Sequence, residues 1–96
     1  MWVVYLLRCD DGSFYTGITT NLKKRMEKHR SGSGSKYVRA KGFDKLLYGL
    51  QLRDKSSAAS LEYEIKEMKK ERKKQFFQGH ENLIYEHVNQ RVKQYD

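Results

Sequence analysis

The stretch Trp2-Val3-Val4-Tyr5-Leu6-Leu7-Arg8-Cys9-Asp10-Asp11-Gly12-Ser13-Phe14-Tyr15-Thr16-Gly17-Ile18 decides the fold. Residues 2–8 are mostly β-branched, aromatic or aliphatic, which reads as a strand. The run is apolar at both parities, so both of its faces should be covered. Asp10-Asp11-Gly12 is a turn signal, and Phe14 to Ile18 forms a second short strand, so residues 2–18 read as a hairpin. A three-residue loop would set Cys9 opposite Ser13 and bring Tyr5 and Tyr15 to one side of the sheet as near-diagonal neighbours. A two-residue loop would put the tyrosines on opposite sides. The residues alone leave both registers open.

Downstream, Thr19-Thr20-Asn21 offers helix N-caps, and a helix follows over residues 21–30. Leu22 and Met26 lie one turn apart on it, and Arg25 and His29, four residues apart, flank that apolar stripe. Ser31-Gly32-Ser33-Gly34-Ser35 reads as a flexible loop. It leads into a basic stretch with an aromatic inside it: Lys36, Tyr37, Arg39 and Lys41. Residues 45–53 alternate as a third strand, with Leu46, Tyr48, Leu50 and Leu52 on one face. Asp54 to Ser57 then caps a long helix from about Ala58 to Gln78. Leu61, Ile65, Met68 and Phe76 form its apolar stripe, and Lys66, Lys70, Lys73 and Lys74 its solvent side. Leu83, Ile84, Val88, Val92 and Tyr95 mark a C-terminal amphipathic helix within 80–96. The expected order is β-β-α-β-α-α: an α+β fold with a three-stranded antiparallel sheet flanked by helices on both faces.

The 96 residues suit one domain spanning 1–96. With 38% hydrophobic and 12% aromatic residues the chain has material for a modest core and is not of disordered composition. Lys and Arg total 20 against 12 Asp and Glu, a net charge of +8. That excess points to a polyanionic partner, nucleic acid ahead of membrane. One cysteine, Cys9, excludes a disulfide framework and a Cys-rich zinc site, and it reads as a small, partly buried hydrophobe. The apolar N-terminal run is short, and Arg8, Asp10 and Asp11 follow it at once. It is therefore read as neither signal peptide nor membrane span. A cytoplasmic protein, monomeric or weakly dimeric, is expected.

Against this background one ordered set stands out. Val3-Val4-Tyr5 closes into the first strand, and Tyr15-Thr16-Gly17 lies ten residues after Tyr5 on the second. Arg25-Met26-Glu27-Lys28-His29 follows on the helix, and Glu62 comes early in a later helix, after Ala58-Ala59-Ser60-Leu61. Taken singly, each residue has an ordinary reading. Strand tyrosines pack, a helix arginine is solvated, a histidine at a helix end answers the dipole, and so does a glutamate near a helix start. Taken in order, Tyr5, Tyr15, Gly17, Arg25, His29 and Glu62 resemble the GIY-YIG nuclease superfamily over roughly residues 2–75. The run Tyr15-Thr16-Gly17-Ile18-Thr19-Thr20 and the Lys36-Tyr37 pair after a Gly/Ser loop are most similar to its short single-domain bacterial members.

The resemblance implies a metal-dependent endonuclease or nickase that hydrolyses phosphodiester bonds of DNA, in repair or processing. Its implied catalytic set is Tyr5, Tyr15, Arg25, His29 and Glu62. Glu62 would hold one divalent ion, Mg²⁺ or Mn²⁺, which binds few protein groups and keeps its waters. Arg25 would clamp a nonbridging phosphate oxygen through its planar fork. Tyr5 and Tyr15 would orient or deprotonate the attacking water, with His29 accepting a proton or holding a hydroxyl. Glu64 sits two residues after Glu62 at a similar angle from the apolar stripe, and spacing does not choose between them; the resemblance selects Glu62. The partner implied is nucleic acid, DNA ahead of RNA, with Lys36, Tyr37, Arg39 and Lys41 as contacts. The rival is a nucleic-acid-binding module that keeps the fold and has lost catalysis.

The chain departs from the family pattern in three places. Val3 stands where the first motif has its glycine, and Ile18 where the excision-repair branch has a lysine. The asparagine that some members carry after the glutamate helix has no counterpart. Low turnover is the expectation. With no attached recognition domain, binding directed by shape and backbone is expected.

Overall fold

The computed structural model describes residues 1–79. Three strands build the sheet: β1 (Trp2–Cys9), β2 (Phe14–Thr19) and β3 (Phe43–Leu52). All pairings are antiparallel and β1 is central, in the order β2-β1-β3. The hairpin has the three-residue loop. Cys9 N–H donates to Ser13 O (2.8 Å), and Gly12, at φ +86°, closes the turn by donating to Cys9 O (2.9 Å). A left-handed residue at that position is what a three-residue hairpin requires, and glycine adopts it without steric cost. The register pairs Tyr5 with Gly17 and Leu7 with Tyr15, so Tyr5 and Tyr15 share a face.

Both faces of β1 are covered, as its uninterrupted apolar run requires. Val3, Tyr5, Leu7 and Cys9 pack with Leu22 and Met26 of α1 (Leu22–Ser31), Val38 of α2 (Lys36–Lys41) and Leu46. Val4 and Leu6 pack with Leu50, with Ala58 and Ile65 of α3 (Lys55–Lys66), and with Phe77 of α4 (Lys70–Gly79). This is the expected α+β architecture, with helices on both sides of the sheet. Cys9, expected to be partly buried, is 1% exposed at the base of the first cluster.

Three local features differ from the sequence reading. The alternation in β3 breaks: the pairing with β1 shifts between Leu6/Leu7, so Leu7 faces Leu46 while Leu6 faces Tyr48. A bulge adds one residue and inverts the facing of everything beyond it. Leu46 therefore joins the α1 side, whereas Tyr48, Leu50 and Leu52 join the α3 side. The basic stretch at 36–41 is helical, capped by Ser35, whose hydroxyl accepts from Val38 N–H (3.1 Å). The long helix is two helices. After Lys66 the backbone tightens, with Met68 N–H reaching back three residues to Ile65 O (3.0 Å), and α4 restarts at Lys70. The restart rotates the helix phase, so Phe77 rather than Phe76 is the fully buried ring, stacked on Tyr48 at 5.6 Å.

The other ends follow their expected chemistry. Asn21 caps α1 by accepting from Lys24 N–H (3.0 Å), and Asp54 caps α3 by accepting from Ser57 N–H (2.8 Å). The C-terminal helix expected over 80–96 lies outside the described residues. Among the described residues no helix is long and apolar enough to cross a membrane.

Candidate active site

Tyr5 sits at the middle of the central strand, and its ring crosses β2 at Gly17. A Cβ on Gly17 would land on the Tyr5 hydroxyl and ring. The missing side chain thus lets the phenol lie flat across an edge strand and carry its hydroxyl to the sheet margin. Burial is complete for Tyr5 and partial for Tyr15.

Two side chains of α1 act on that hydroxyl. His29 Nε2 lies 2.8 Å from it. The Arg25 guanidinium favours its ionised form. The four-residue spacing brings both to one helix face, and the buried stripe of Leu22, Met26 and His29 turns that face to the sheet. Tyr15 completes an aromatic cluster, with ring centroids 6.4 Å from Tyr5 and 5.6 Å from His29.

The helix holding His29 ends in a tightly bonded cap. Gly32, at φ +87°, and Ser33 donate to His29 O (3.2 Å) and Lys28 O (2.9 Å). Gly34 then passes so close that a Cβ there would stand 2.5 Å from His29 Nδ1. Phe43 stacks on the imidazole at 6.4 Å, nearly parallel at 12°. No sequence pattern marks Gly34 or Phe43 as part of this site. The Gly/Ser run reads as a loop because glycine's packing role has no periodicity, and Phe43 falls outside the alternating stretch that marked the third strand.

Burial dominates the electrostatics. It raises the Tyr5 pKa well above the ordinary phenol value; the Tyr15 and Glu62 charges add to this, and Arg25 opposes it. The hydroxyl is protonated throughout the neutral range. Burial also lowers the His29 pKa to about 4, assisted by the Arg25 charge. His29 is therefore neutral at pH 7. With its proton on Nδ1, Nε2 accepts from the Tyr5 hydroxyl. Nδ1 itself is buried and has no hydrogen-bond partner.

Glu62 lies on α3, on the opposite side of the sheet, yet its charge acts on the Tyr5 hydroxyl. It is half-buried and paired with Lys66 at 3.3 Å, whereas Glu64 is exposed. Geometry thus separates two carboxylates that spacing had left equivalent. Among the described residues no three His, Cys, Asp or Glu side chains gather into a metal cage. A single carboxylate at the margin of a basic site fits a hard divalent ion that takes its remaining ligands from water and phosphate.

The four expected nucleic-acid contacts all lie on α2. Tyr37 is 42% exposed and stacks on Tyr15 at 5.8 Å. Lys41 stands over the Tyr37 ring at 5.7 Å and pairs with Asp11 at 3.2 Å, so its charge is already partly answered. The Arg39 stem lies against Gly32, and Lys36 is exposed. The tyrosine therefore adjoins the Tyr5–His29 cluster through Tyr15, with the Lys41 charge over its ring.

The GIY-YIG catalytic domain, as a family, matches residues 1–76 of this chain. A UPF0213 protein of Photorhabdus laumondii is 43% identical over 72 residues, covering 75% of this chain and 69% of its own. Another from Yersinia enterocolitica is 41% identical over 73 residues, covering 76% and 75%. The solution structure of a UPF0213 protein from Bacillus halodurans, 42% identical, superposes with a TM-score of 0.50 over 79% of this chain and 82% of that one. The family match runs from the start of the sheet through α3 and into α4, and it spans Tyr5, Tyr15, Gly17, Arg25, His29 and Glu62. The chain belongs to the GIY-YIG family.

Proposed function

We propose that the protein is a divalent-metal-dependent endonuclease or nickase that hydrolyses phosphodiester bonds of nucleic acid, DNA before RNA, in DNA processing or repair. One observation carries the reading: a buried tyrosine hydroxyl held 2.8 Å from a neutral histidine and within the fields of an arginine and a glutamate. Packing alone does not call for a phenol, an imidazole and a guanidinium to gather at a sheet margin.

Glu62 would hold the ion, and a bound Mg²⁺ or Mn²⁺ supplies Lewis acidity to the phosphate oxygens. The chain's own groups account for the rest. Arg25 donates to a nonbridging oxygen as negative charge grows there. The Tyr5 oxygen takes a proton from the attacking water while its own proton passes to His29 Nε2. The nearby Arg25 charge disfavours a lasting imidazolium, so His29 returns the proton to Tyr5 and the extra proton leaves through the Tyr5 hydroxyl to solvent, while the leaving oxygen, on the far side of the in-line displacement, takes its proton from water. Tyr15 walls this path against bulk water.

The test is nicking of supercoiled plasmid, branched DNA and an RNA of matched length with Mg²⁺ or Mn²⁺. Wild type is compared with Glu62→Ala and Arg25→Ala. Each substitution is expected to lower the rate at least hundredfold. Equal activity in all three proteins would refute the site. Glu64→Ala is expected to keep its metal response, and a selective loss there would move the ion away from Glu62. The binding-module reading draws on the Glu62–Lys66 pair and the raised Tyr5 pKa, both of which work against catalysis. Tight, salt-sensitive binding without cleavage under either metal would establish it.

A further inference from the structure

Beside Arg25, away from the Tyr5 cluster, the surface dips into a recess of about 150 Å³ lined by Thr19, Thr20, Asn21, Lys24, Arg25 and Lys28. We propose that this recess seats a second backbone phosphate of the substrate strand, next to the one being cut. The inference rests on the nuclease reading for the identity of its ligand.

Charge makes the first part of the case. Lys24 and Lys28 are four residues apart on α1, a like-charge spacing that disfavours the helix. Arg25 joins them at the same recess, and the first turn of α1 holds no acidic residue. Among the described residues, none of the three cations forms an ion pair. Lys41 and Lys66, by contrast, each have a carboxylate. Three gathered, unanswered cations await an anion.

The polar atoms of the floor make the second part. Thr19 Oγ1 accepts from Asn21 N–H (3.1 Å), and Asn21 Oδ1 accepts from Lys24 N–H (3.0 Å). These groups are spent on shaping the recess. The lysine ammoniums and the guanidinium remain for a guest. An ammonium is a mobile point charge suited to phosphate oxygens.

Position makes the third. Arg25 reaches the Tyr5 hydroxyl and also lines the recess. One guanidinium therefore borders the site of cleavage and the seat of the adjoining phosphate. A strand that passes Tyr5 and is seated in the recess runs along α1, which sets its register. The binding candidates on α2 do not line the recess.

The experiment measures binding of a labelled DNA oligonucleotide by the full chain in chelator, from 50 to 200 mM salt. The Lys24→Ala/Lys28→Ala variant is compared with Lys69→Ala/Arg72→Ala, which removes two exposed cations beside α4. The first pair is expected to weaken binding about tenfold or more and to reduce the salt slope by about two. The second pair is expected to keep the wild-type slope. Circular dichroism checks folding, and Lys24→Gln/Lys28→Gln repeats the measurement should the alanine variant melt early. Unchanged affinity and slope in the Lys24/Lys28 variants would overturn the proposal. So would displacement of the oligonucleotide by millimolar inorganic phosphate, since the recess would then be a free-anion site. Loss of slope in a protein that cuts nothing leaves the recess standing and removes the nuclease reading. Metal-dependent cutting that needs Glu62, with no change in slope, does the reverse.

Discussion

Tyr5 is held by neighbours that oppose one another. Burial and Glu62 keep its proton on, while Arg25 favours its removal and His29 stands ready to receive it. His29 carries the measurable consequence. The unfolded chain takes up its proton near pH 6.5 and the folded chain near 4. Stability from this residue is therefore full above pH 6.5 and is lost as pH falls towards 4, on the order of 3 kcal/mol in all. Thermal melts across that window should slope downward in wild type and flatten in His29→Asn. Gly34 gives a second outcome. Its Cβ would press on Nδ1, so Gly34→Ala should turn the imidazole off the Tyr5 hydroxyl and lower kcat at least tenfold with KM little changed. An unaltered kcat would show that the ring position is immaterial. Both residues show how unevenly the site can be read. Histidine is conspicuous four residues after an arginine, whereas a glycine that only makes room leaves no pattern.

Strands and helices differ in how their own residues specify them. The hairpin's existence is encoded by its turn residues and its two-sided apolar strand, and the fold then selects the three-residue loop with Gly12 at φ +86°. The Gly17→Ala change tests the hairpin where it matters most. Its Cβ overlaps the Tyr5 ring, so a loss of about 1–3 kcal/mol is expected, with a shifted Tyr5. Helix α2 is encoded weakly: it has six residues and no amphipathic run long enough to recognise. It stands because Val38 is buried and Ser35 caps it. Ser35→Ala should cost about 1 kcal/mol and loosen Tyr37 from Tyr15, seen as a larger change in tyrosine fluorescence than in melting temperature.

A 96-residue chain has little stability to spare, so the core beneath the second sheet face matters as much as the site above the first. Phe77 is fully buried there, against Tyr48. Phe77→Ala should cost about 3–5 kcal/mol in denaturant melts. Activity per folded molecule should hold, because the sheet separates this ring from Tyr5. A loss of specific activity at a temperature where the variant is still folded would mean that the two faces are coupled.

Residue type, parity and turn residues suffice for the existence of the hairpin, for helix starts near 19–21 and 54–57, and for the ordered set from Tyr5 to Glu62, while the hairpin register and the choice of Asn21 as cap came from the fold. Packing resolved what those local signals leave degenerate. The bulge in β3, the break before α4 and the choice of Phe77 over Phe76 follow from filling a core, which no short window contains. The same holds for the site. Glu62 and Glu64 are equivalent on an isolated helix, and they differ only once α3 lies against the sheet, which half-buries Glu62 and leaves Glu64 exposed.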